Sequence, residues 1–303
     1  MFFFITYYQL VLGGYEVNPA ERVLDEHDVV TEFWKHEALA AALCEEVMAF
    51  EKSVDEYFEE KKPQFDNLIK LMQGAVREVA ADAEFYVYGS FATGLSLPWS
   101  DIDIVIKLPQ TYYSYTVLDS IENNLKKKKW VEDVKIIKNA SIPVLKINCT
   151  KQYHNKKIDI SIQENKHNGL LCVELVKDYL NMYPPVRPLV LILKQFLYHL
   201  NLNDTYIGGL SSYALILMIV YLIQTKEMQN IANPGATQNL GSLLISFLQT
   251  YGFEYDYYNQ FLVNPRKIMK QTEAGPDMYF ENMSLMNIVH QNPVKTFEKL
   301  CLK

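Results

Sequence analysis

The chain has 303 residues, which is enough for one large domain or two ordinary ones. Hydrophobic residues make up 49% of it and charged residues 21%, a balance that is typical of a globular protein with a substantial core and excludes a disordered or fibrous chain. The formal net charge is -7, which disfavours a protein that binds nucleic acid tightly through a basic face of its own.

The first residues, MFFFITYY, are apolar but have no basic leader and no small-residue cleavage site, so no signal peptide is predicted. The longest apolar run, residues 207–223, is shorter than the roughly 20 residues that a membrane span needs. The 4 cysteines lack metal-ligand spacing and are typical of reduced thiols inside a cell. We therefore expect an intracellular soluble protein of the nucleus or the cytoplasm, with no membrane partner.

Along the chain, helical sequence encloses a segment of strands. Apolar residues recur at helical spacing over residues 28–81, where Pro63 predicts a break or the start of a second helix. Residues 84–162 are rich in short Val and Ile runs typical of strands, with one helical stretch at 112–129. Helical patterns return beyond Gly169, and their predicted bounds are 170–183, 189–200, 211–224 and 240–251. This order predicts two lobes, with the N-terminal helix packed on the C-terminal helical lobe.

Two carboxylates stand inside a predicted strand, in the stretch DIDIVI. Because side chains alternate between the faces of a strand, Asp101 and Asp103 point the same way while the isoleucines point into the core. Burial of two neighbouring carboxylates is costly, and a bound divalent cation such as Mg²⁺ removes that cost. Asp159 has the same setting in KIDISI, and three such carboxylates could hold two metal ions. Taken alone, the motif favours strand-edge aspartates in solvent.

A Gly-Ser turn precedes these carboxylates. Gly89 follows a predicted strand, and Ser90 opens a segment typical of the first turn of a helix. Backbone N–H groups there, together with the Ser90 hydroxyl, could bind a β- or γ-phosphate, although an ordinary strand-to-helix turn is the alternative. The combination of this turn with two aspartates after a ten-residue spacer is far more specific than either element alone.

The whole stretch GSFATGLSLPWSDIDIVI resembles the catalytic block of nucleotidyltransferases built like the palm of DNA polymerase β. Three helical blocks, RPLVLILKQFL, GGLSSYALILMIVYLIQ and NLGSLLISFLQTYG, resemble those of the polymerase-sigma or TRF-type poly(A) polymerases and terminal uridylyltransferases. The resemblance covers residues 32–255. It implies an α+β two-lobed fold, with a polymerase β-like nucleotidyltransferase domain at 64–164. A helical poly(A) polymerase/OAS-type core domain would comprise 28–63 and 165–303.

The resemblance also implies roles for individual residues. Asp101, Asp103 and Asp159 would be the catalytic metal ligands, and Asp159 would help to deprotonate the RNA 3′-hydroxyl. The nucleotide would be bound by Gly89 and Ser90 at the triphosphate, Lys194 and Ser212 at the phosphates, Asn203 at the ribose and Tyr213 at the base.

Without the family, three of these residues have simpler interpretations. Lys194, a lone lysine on a largely apolar helix, suggests a phosphate contact even without the family, and extension to solvent is its simpler alternative. Tyr213 would be a core residue and Asn203 an ordinary loop residue. The base-reading loop of the family corresponds to MYFENMSLMN, where Glu281 and Asn282 occupy the place of its polar pair. The usual Gly-Arg that follows this pair is absent, so the choice of base stays open.

The implied function is template-independent transfer of ribonucleotides from NTP to RNA 3′ ends, with two Mg²⁺ ions (Mn²⁺ as a substitute) and release of pyrophosphate. A poly(A) polymerase that uses ATP is favoured, and a terminal uridylyltransferase that uses UTP is the alternative. A catalytically silent subunit and transfer to a small molecule or protein are further alternatives. Because the chain is acidic and shows no added RNA-binding module, we expect RNA-binding or complex-forming partner proteins.

Overall fold

The protein is described by a computed structural model that covers residues 37–110, 112–138, 142–164, 167–205, 208–232 and 239–254. Its helices are α1 (Glu37–Arg77), α2 (Gly89–Thr93), α3 (Ser114–Leu125), α4 (Gly169–Met182), α5 (Val186–His199), α6 (Ser212–Ala232) and α7 (Leu240–Gln249). Its strands are β1 (Glu84–Tyr88), β2 (Ile102–Lys107), β3 (Val131–Ile137), β4 (Val144–Cys149) and β5 (Lys157–Ile162). The predicted α+β class is confirmed.

The five strands form one mixed sheet in the order β1-β2-β5-β4-β3. Strands β2 and β5 pair in parallel, whereas the other three pairs are antiparallel. The chain therefore runs in the same direction in β2 and β5, and α3 and the β3–β4 hairpin lie between these two strands in sequence. This crossover places two strands that are distant in sequence side by side at the centre of the sheet.

One face of the sheet is covered by helices. On β2, Ile102 and Ile104 are fully buried, and Ile158 and Ile160 are their partners on β5. They pack in one core with the C-terminal half of α1 and the apolar face of α3. Burial of each such side chain contributes about 1.5–3 kcal/mol, so the alternation of the strands strongly fixes which face is inside. The aspartates between these isoleucines must then lie on the opposite face.

The break predicted at Pro63 is wrong, because α1 runs through this proline without interruption. Proline removes one helical hydrogen bond and disfavours the helix interior. Apolar side chains of α1 are buried on both sides of it, at Val54 and at Phe65, and this packing outweighs the local preference.

The chain separates into two compact units. Within the described residues, one comprises 37–50 with 221–232 and 239–254, and the other lies in the range 51–220. In the first unit, Gly241 of α7 lies against the backbone of Ala40 on α1, so closely that no side chain would fit. The second unit contains the whole sheet. The domain boundaries predicted from the sequence stay a prediction. Among the described helices, none is long and apolar enough to span a membrane.

Candidate active site

The open face of the sheet carries a lateral row of polar side chains. Asp103 on β2 lies directly opposite Asp159 on β5, and Asp159 lies opposite Lys146 on β4. Asp101 is two residues before Asp103, at the entry to β2, and faces the same side. The parallel pairing thus brings together two carboxylates that are 56 residues apart in the chain.

These carboxylates repel one another in a poorly solvated place. The pKa of Asp103 is raised to about 7, first by burial and then by the charges of Asp159 and Asp101. The pKa of Asp101 is also raised, first by burial and then by Asp159. In the part of the chain that the structure describes, neither Asp101 nor Asp103 forms a salt bridge. Such a pair of oxygen ligands fits a hard divalent cation, which would favour the ionised form of both groups.

Asp159 has a cation beside it within the protein. Lys146 Nζ lies 2.6 Å from Asp159 Oδ2, and the two side chains are 46% and 20% exposed. Among the described residues, no three His, Cys, Asp or Glu side chains are gathered closely enough to hold a metal ion by themselves. The three-carboxylate metal site therefore stays a prediction, and any metal shared by Asp159 would compete with Lys146.

The Gly-Ser turn approaches Asp103 closely. Gly89 has a φ of 65°, and a Cβ built on it would lie 2.9 Å from Asp103 Cγ and closer still to a carboxylate oxygen. Only glycine fits such a position without movement of the carboxylate. The next residue, Ser90, opens toward the same cavity as Asp103, and its Oγ lies 3.1 Å from Ser96 Oγ.

A cavity of about 350 Å³ opens over the carboxylates. Six of the predicted site residues line it: Ser90, Asp101, Asp103, Lys194, Asn203 and Ser212. Its other lining residues, which sequence reasoning did not single out, are Trp99, Ser100, Lys157, Leu197, Tyr198, Leu210 and Leu215. The cavity thus combines carboxylates, cations and hydroxyl groups, a composition suited to a nucleoside triphosphate.

Two further predicted residues are placed differently. Tyr213 is not among the residues that line the cavity; burial raises its pKa, with smaller contributions from nearby Cys172 and Tyr179 of α4. Its predicted stacking role stays a prediction. Glu281 and Asn282, the predicted base-reading pair, lie outside the described residues.

Lys194 is a buried cation at the floor of the cavity. Only 5% of it is exposed, and its Nζ donates a hydrogen bond of 2.8 Å to the carbonyl of Leu95. Burial lowers its pKa to about 8, while the charge of Asp103 acts in the opposite direction. The group is therefore still predominantly charged at neutral pH and has an anion nearby.

An aromatic pair forms part of the cavity wall. The rings of Trp99 and Tyr198 are stacked with centroids 4.1 Å apart, and Trp99 Nε1 donates to Gln195 Oε1. No pattern in the sequence indicated this contact, because the two residues are almost a hundred positions apart. The pair shields the region around Lys194, whose Nζ lies 5.9 Å from the Trp99 ring.

A second cluster of polar side chains, Tyr88, Ser161 and His167, lies beside the carboxylates on the sheet. Gly169 N donates to His167 Nδ1, so the ring proton is on Nε2, which donates to Ser161 Oγ at 2.8 Å. The Tyr88 hydroxyl lies 3.4 Å from the same Ser161 oxygen. These bonds attach the chain that leaves β5 to the strand that carries Asp159.

The fold is that of nucleotidyltransferases with a polymerase β-like palm. The family model described as "Poly(A) RNA polymerase, mitochondrial-like, central palm domain" matches residues 44–181. The solved polymerase core of TRAMP, an RNA surveillance complex, is 30% identical with a TM-score of 0.64, and the match covers 74% of this chain and 68% of that one. The chain belongs to the polymerase-sigma family of poly(A) RNA polymerases, which confirms the resemblance.

Two curated relatives show how far this similarity extends. The chain is 35% identical over 192 residues to the poly(A) RNA polymerase cid14 of Schizosaccharomyces pombe, a match over 63% of this chain and 28% of that protein. It is 32% identical over 196 residues to the inactive poly(A) RNA polymerase protein Trf4-2 of Drosophila melanogaster, over 63% of this chain and 46% of that protein. The chain thus spans less than half the length of both relatives. Since one of them is inactive, activity has to be argued from the site itself.

Proposed function

We propose that this chain transfers ribonucleotides from NTP to RNA 3′ ends without a template, with ATP as the favoured substrate. The observation that supports this most is the pairing of Asp103 with Asp159 at the centre of the sheet, next to Asp101. The cavity over them also contains Lys194 and Ser90, groups suited to bind phosphate. ATP is proposed rather than UTP because the chain is similar to proteins named poly(A) RNA polymerases.

The reaction is an in-line displacement at the α-phosphorus of the nucleotide. The RNA 3′-oxygen would attack this phosphorus while its proton passes to a carboxylate oxygen of Asp159, and pyrophosphate would leave as the new P–O bond forms. Asp101, Asp103 and Asp159 would hold two Mg²⁺ ions, or Mn²⁺ in their place, and these would stabilise charge on the attacking and leaving oxygens. Lys194 would supply positive charge beside the departing pyrophosphate.

The silent-subunit alternative is disfavoured by the state of the carboxylates. Three aspartates without an enzymatic role would gain nothing from being crowded where burial raises the pKa of Asp103 to about 7. Such crowding destabilises the fold and is typical of functional sites. RNA-binding or complex-forming partner proteins are part of the proposal, because the net charge of -7 gives the chain little attraction for RNA.

The test is primer extension with each of the four NTPs separately, on a labelled oligo(A) RNA with Mg²⁺. Extension with ATP by the wild type, and none by Asp101→Ala/Asp103→Ala, is the expected result. Extension with UTP alone would replace the poly(A) assignment by a terminal uridylyltransferase. If no NTP is added even at high RNA concentration and the chain binds no nucleotide, the proposed function is wrong.

A further inference from the structure

Asp101 is positioned by the loop that precedes it. This loop, residues 95–100, connects α2 to β2 and is hereafter the 95–100 loop. It is closed by two hydrogen bonds: Leu97 N donates to Ser100 Oγ at 3.0 Å, and Ser100 N donates to Leu97 O at 2.9 Å. Because Asp101 follows Ser100 directly, the loop determines where the chain enters β2 and so where this carboxylate lies.

Two buried ammonium groups bind carbonyls of the same loop from different elements. Lys194 of α5 donates to Leu95 O at 2.8 Å, and Lys156 donates to Pro98 O at 3.2 Å. A lysine is rarely buried without a functional or structural reason, and only 4% of Lys156 is exposed. Together with the bond from Ser100 N to Leu97 O, these two groups hold three of the six carbonyls of the loop.

The backbone of Lys156 is fixed by two hydrogen bonds. Its backbone N donates to Tyr153 O and its backbone O accepts from Cys149 N, so it is fixed between β4 and β5. Its Nζ lies 5.0 Å from the ring centroid of Phe65 and 5.9 Å from that of Phe58, distances at which a cation is attracted to a ring. Burial lowers its pKa to about 8, opposed by the charge of Asp101, so the group is predominantly a cation at neutral pH.

Lys156 does not line the cavity, whereas Lys194 does. Under the proposed function, the three donors of the Lys194 ammonium serve the phosphates of the nucleotide as well as Leu95 O. The contact of Lys156 with Pro98 O would then be the ammonium contact of the 95–100 loop that is not shared with the nucleotide.

We propose that Lys156 is a positioning residue that holds the 95–100 loop, and through it Asp101, while Lys194 binds nucleotide. Its role in the reaction rests on the proposed function. Its effect on the loop does not, because the loop contacts are present whatever the chain catalyses. The sequence gives Lys156 no motif, and its role follows only from the contact with Pro98 and the aromatic rings around it.

The experiment compares Lys156→Met with the wild type in the full chain. Met keeps the length and apolar character of the side chain but removes the donor and the charge. A matched control is Lys151→Met, which removes one charge from the same hairpin at an exposed position. Hydrogen–deuterium exchange is followed for the peptide that covers residues 95–100, and Mn²⁺ binding is measured by titration calorimetry.

We expect faster exchange of the 95–100 loop in Lys156→Met, with unchanged exchange in α1 and α3. We also expect Mn²⁺ binding weaker by about tenfold, the lower end of the loss seen when a group that orients metal ligands is removed. Lys156→Arg, which retains charge and donors, should restore most of both. Lys151→Met should match the wild type in both measurements.

Unchanged loop exchange in Lys156→Met would overturn the inference, and so would a uniform increase over the whole chain, which indicates a purely structural role. If Lys156→Met does not fold, Lys156→Gln is measured in the same way and the same two outcomes decide; failure of both to fold also assigns a purely structural role. Failure of the proposed function has a different signature: the wild type would not extend RNA, although the exchange of the 95–100 loop would still depend on Lys156.

Discussion

Lys146 Nζ lies 2.6 Å from Asp159 Oδ2, across the antiparallel pair formed by β4 and β5. Asp159 therefore has a cation within the protein, whereas Asp103, directly opposite on β2, has two carboxylates as neighbours. Lys146 thus neutralises Asp159, whereas Asp103 forms no salt bridge with any described residue. This asymmetry determines how the site should respond to metal, to pH and to substitution.

The first prediction concerns Lys146→Met. Without its cation, Asp159 adds its full charge to the repulsion among the carboxylates, and the protein should lose stability, by at most about 1 kcal/mol because the pair is partly exposed. Mn²⁺ should then raise the melting temperature more in Lys146→Met than in the wild type. Thermal unfolding with and without Mn²⁺ measures both effects. An equal shift in the two proteins would show that Lys146 and metal do not compete for Asp159.

The second prediction concerns the pH dependence set by Asp103. Its pKa in the folded protein, about 7, is above that of an unfolded aspartate, so its contribution to stability is complete below about pH 4 and is lost as the pH rises through 7. Denaturant unfolding in EDTA should therefore show stability falling over this window. Asp103→Asn should flatten that part of the profile, and added Mg²⁺ should do the same in the wild type.

Asp103→Asn also tests catalysis. It keeps the shape of the side chain and removes a charge that burial makes costly, so the fold should be retained. RNA extension should fall at least about a hundredfold, as when a major electrostatic group of an active site is lost. Retained extension by a folded variant would remove Asp103 from the catalytic group.

The carboxylates and Lys146 also show what the sequence can reveal. Alternation along β2 predicts correctly that Asp101 and Asp103 share a face, because one face of the strand is filled with isoleucine. The pairing of Asp103 with Asp159 depends on a crossover through α3 and a hairpin. The alternation in KIDISI made it a possibility, and the family resemblance implied it. Lys146 was missed because its distance from Asp159 is fixed by the register of β4 and β5, which no local pattern encodes.

The wrong prediction at Pro63 and the contacts that the sequence did not predict have the same origin. Pro63 predicted a break by local preference, and packing on both sides of it maintained the helix. Lys156 and the stack of Trp99 on Tyr198 involve partners far away in sequence, so composition and spacing give no sign of them. Sequence therefore locates the candidate catalytic groups more readily than the groups that hold them in place.

The third prediction uses two glycines that share a backbone conformation. Gly89 and Gly94 have φ values of 65° and 73°, so alanine at either position should cost roughly 1–2 kcal/mol of backbone strain. A Cβ on Gly94 meets nothing within 4 Å, whereas one on Gly89 collides with the carboxylate of Asp103. Both variants should lose similar backbone stability, but only Gly89→Ala should also lose most of its RNA extension. Equal activity in the two, measured well below their melting temperatures, would contradict the close approach of Gly89 to Asp103.

The last prediction concerns His167, whose ring accepts from Gly169 N and donates to Ser161 Oγ. Burial lowers its pKa below the ordinary value of 6.5, so the folded protein favours the neutral ring. Its contribution to stability is therefore present above about pH 6.5 and is lost as the pH falls through the lowered pKa, because protonation of Nδ1 removes the acceptor for Gly169 N.

His167→Gln should be less stable than the wild type at neutral pH, by about 1 kcal/mol for an imperfectly replaced hydrogen bond. It should also lose less stability than the wild type between pH 7 and 5, since no imidazole has to be charged in a buried place. The control is His199→Gln, at an exposed position on α5, which should keep the acid sensitivity of the wild type. Urea unfolding of the three proteins at several pH values measures this, and parallel profiles for His167→Gln and the wild type would exclude His167 as the source of that sensitivity.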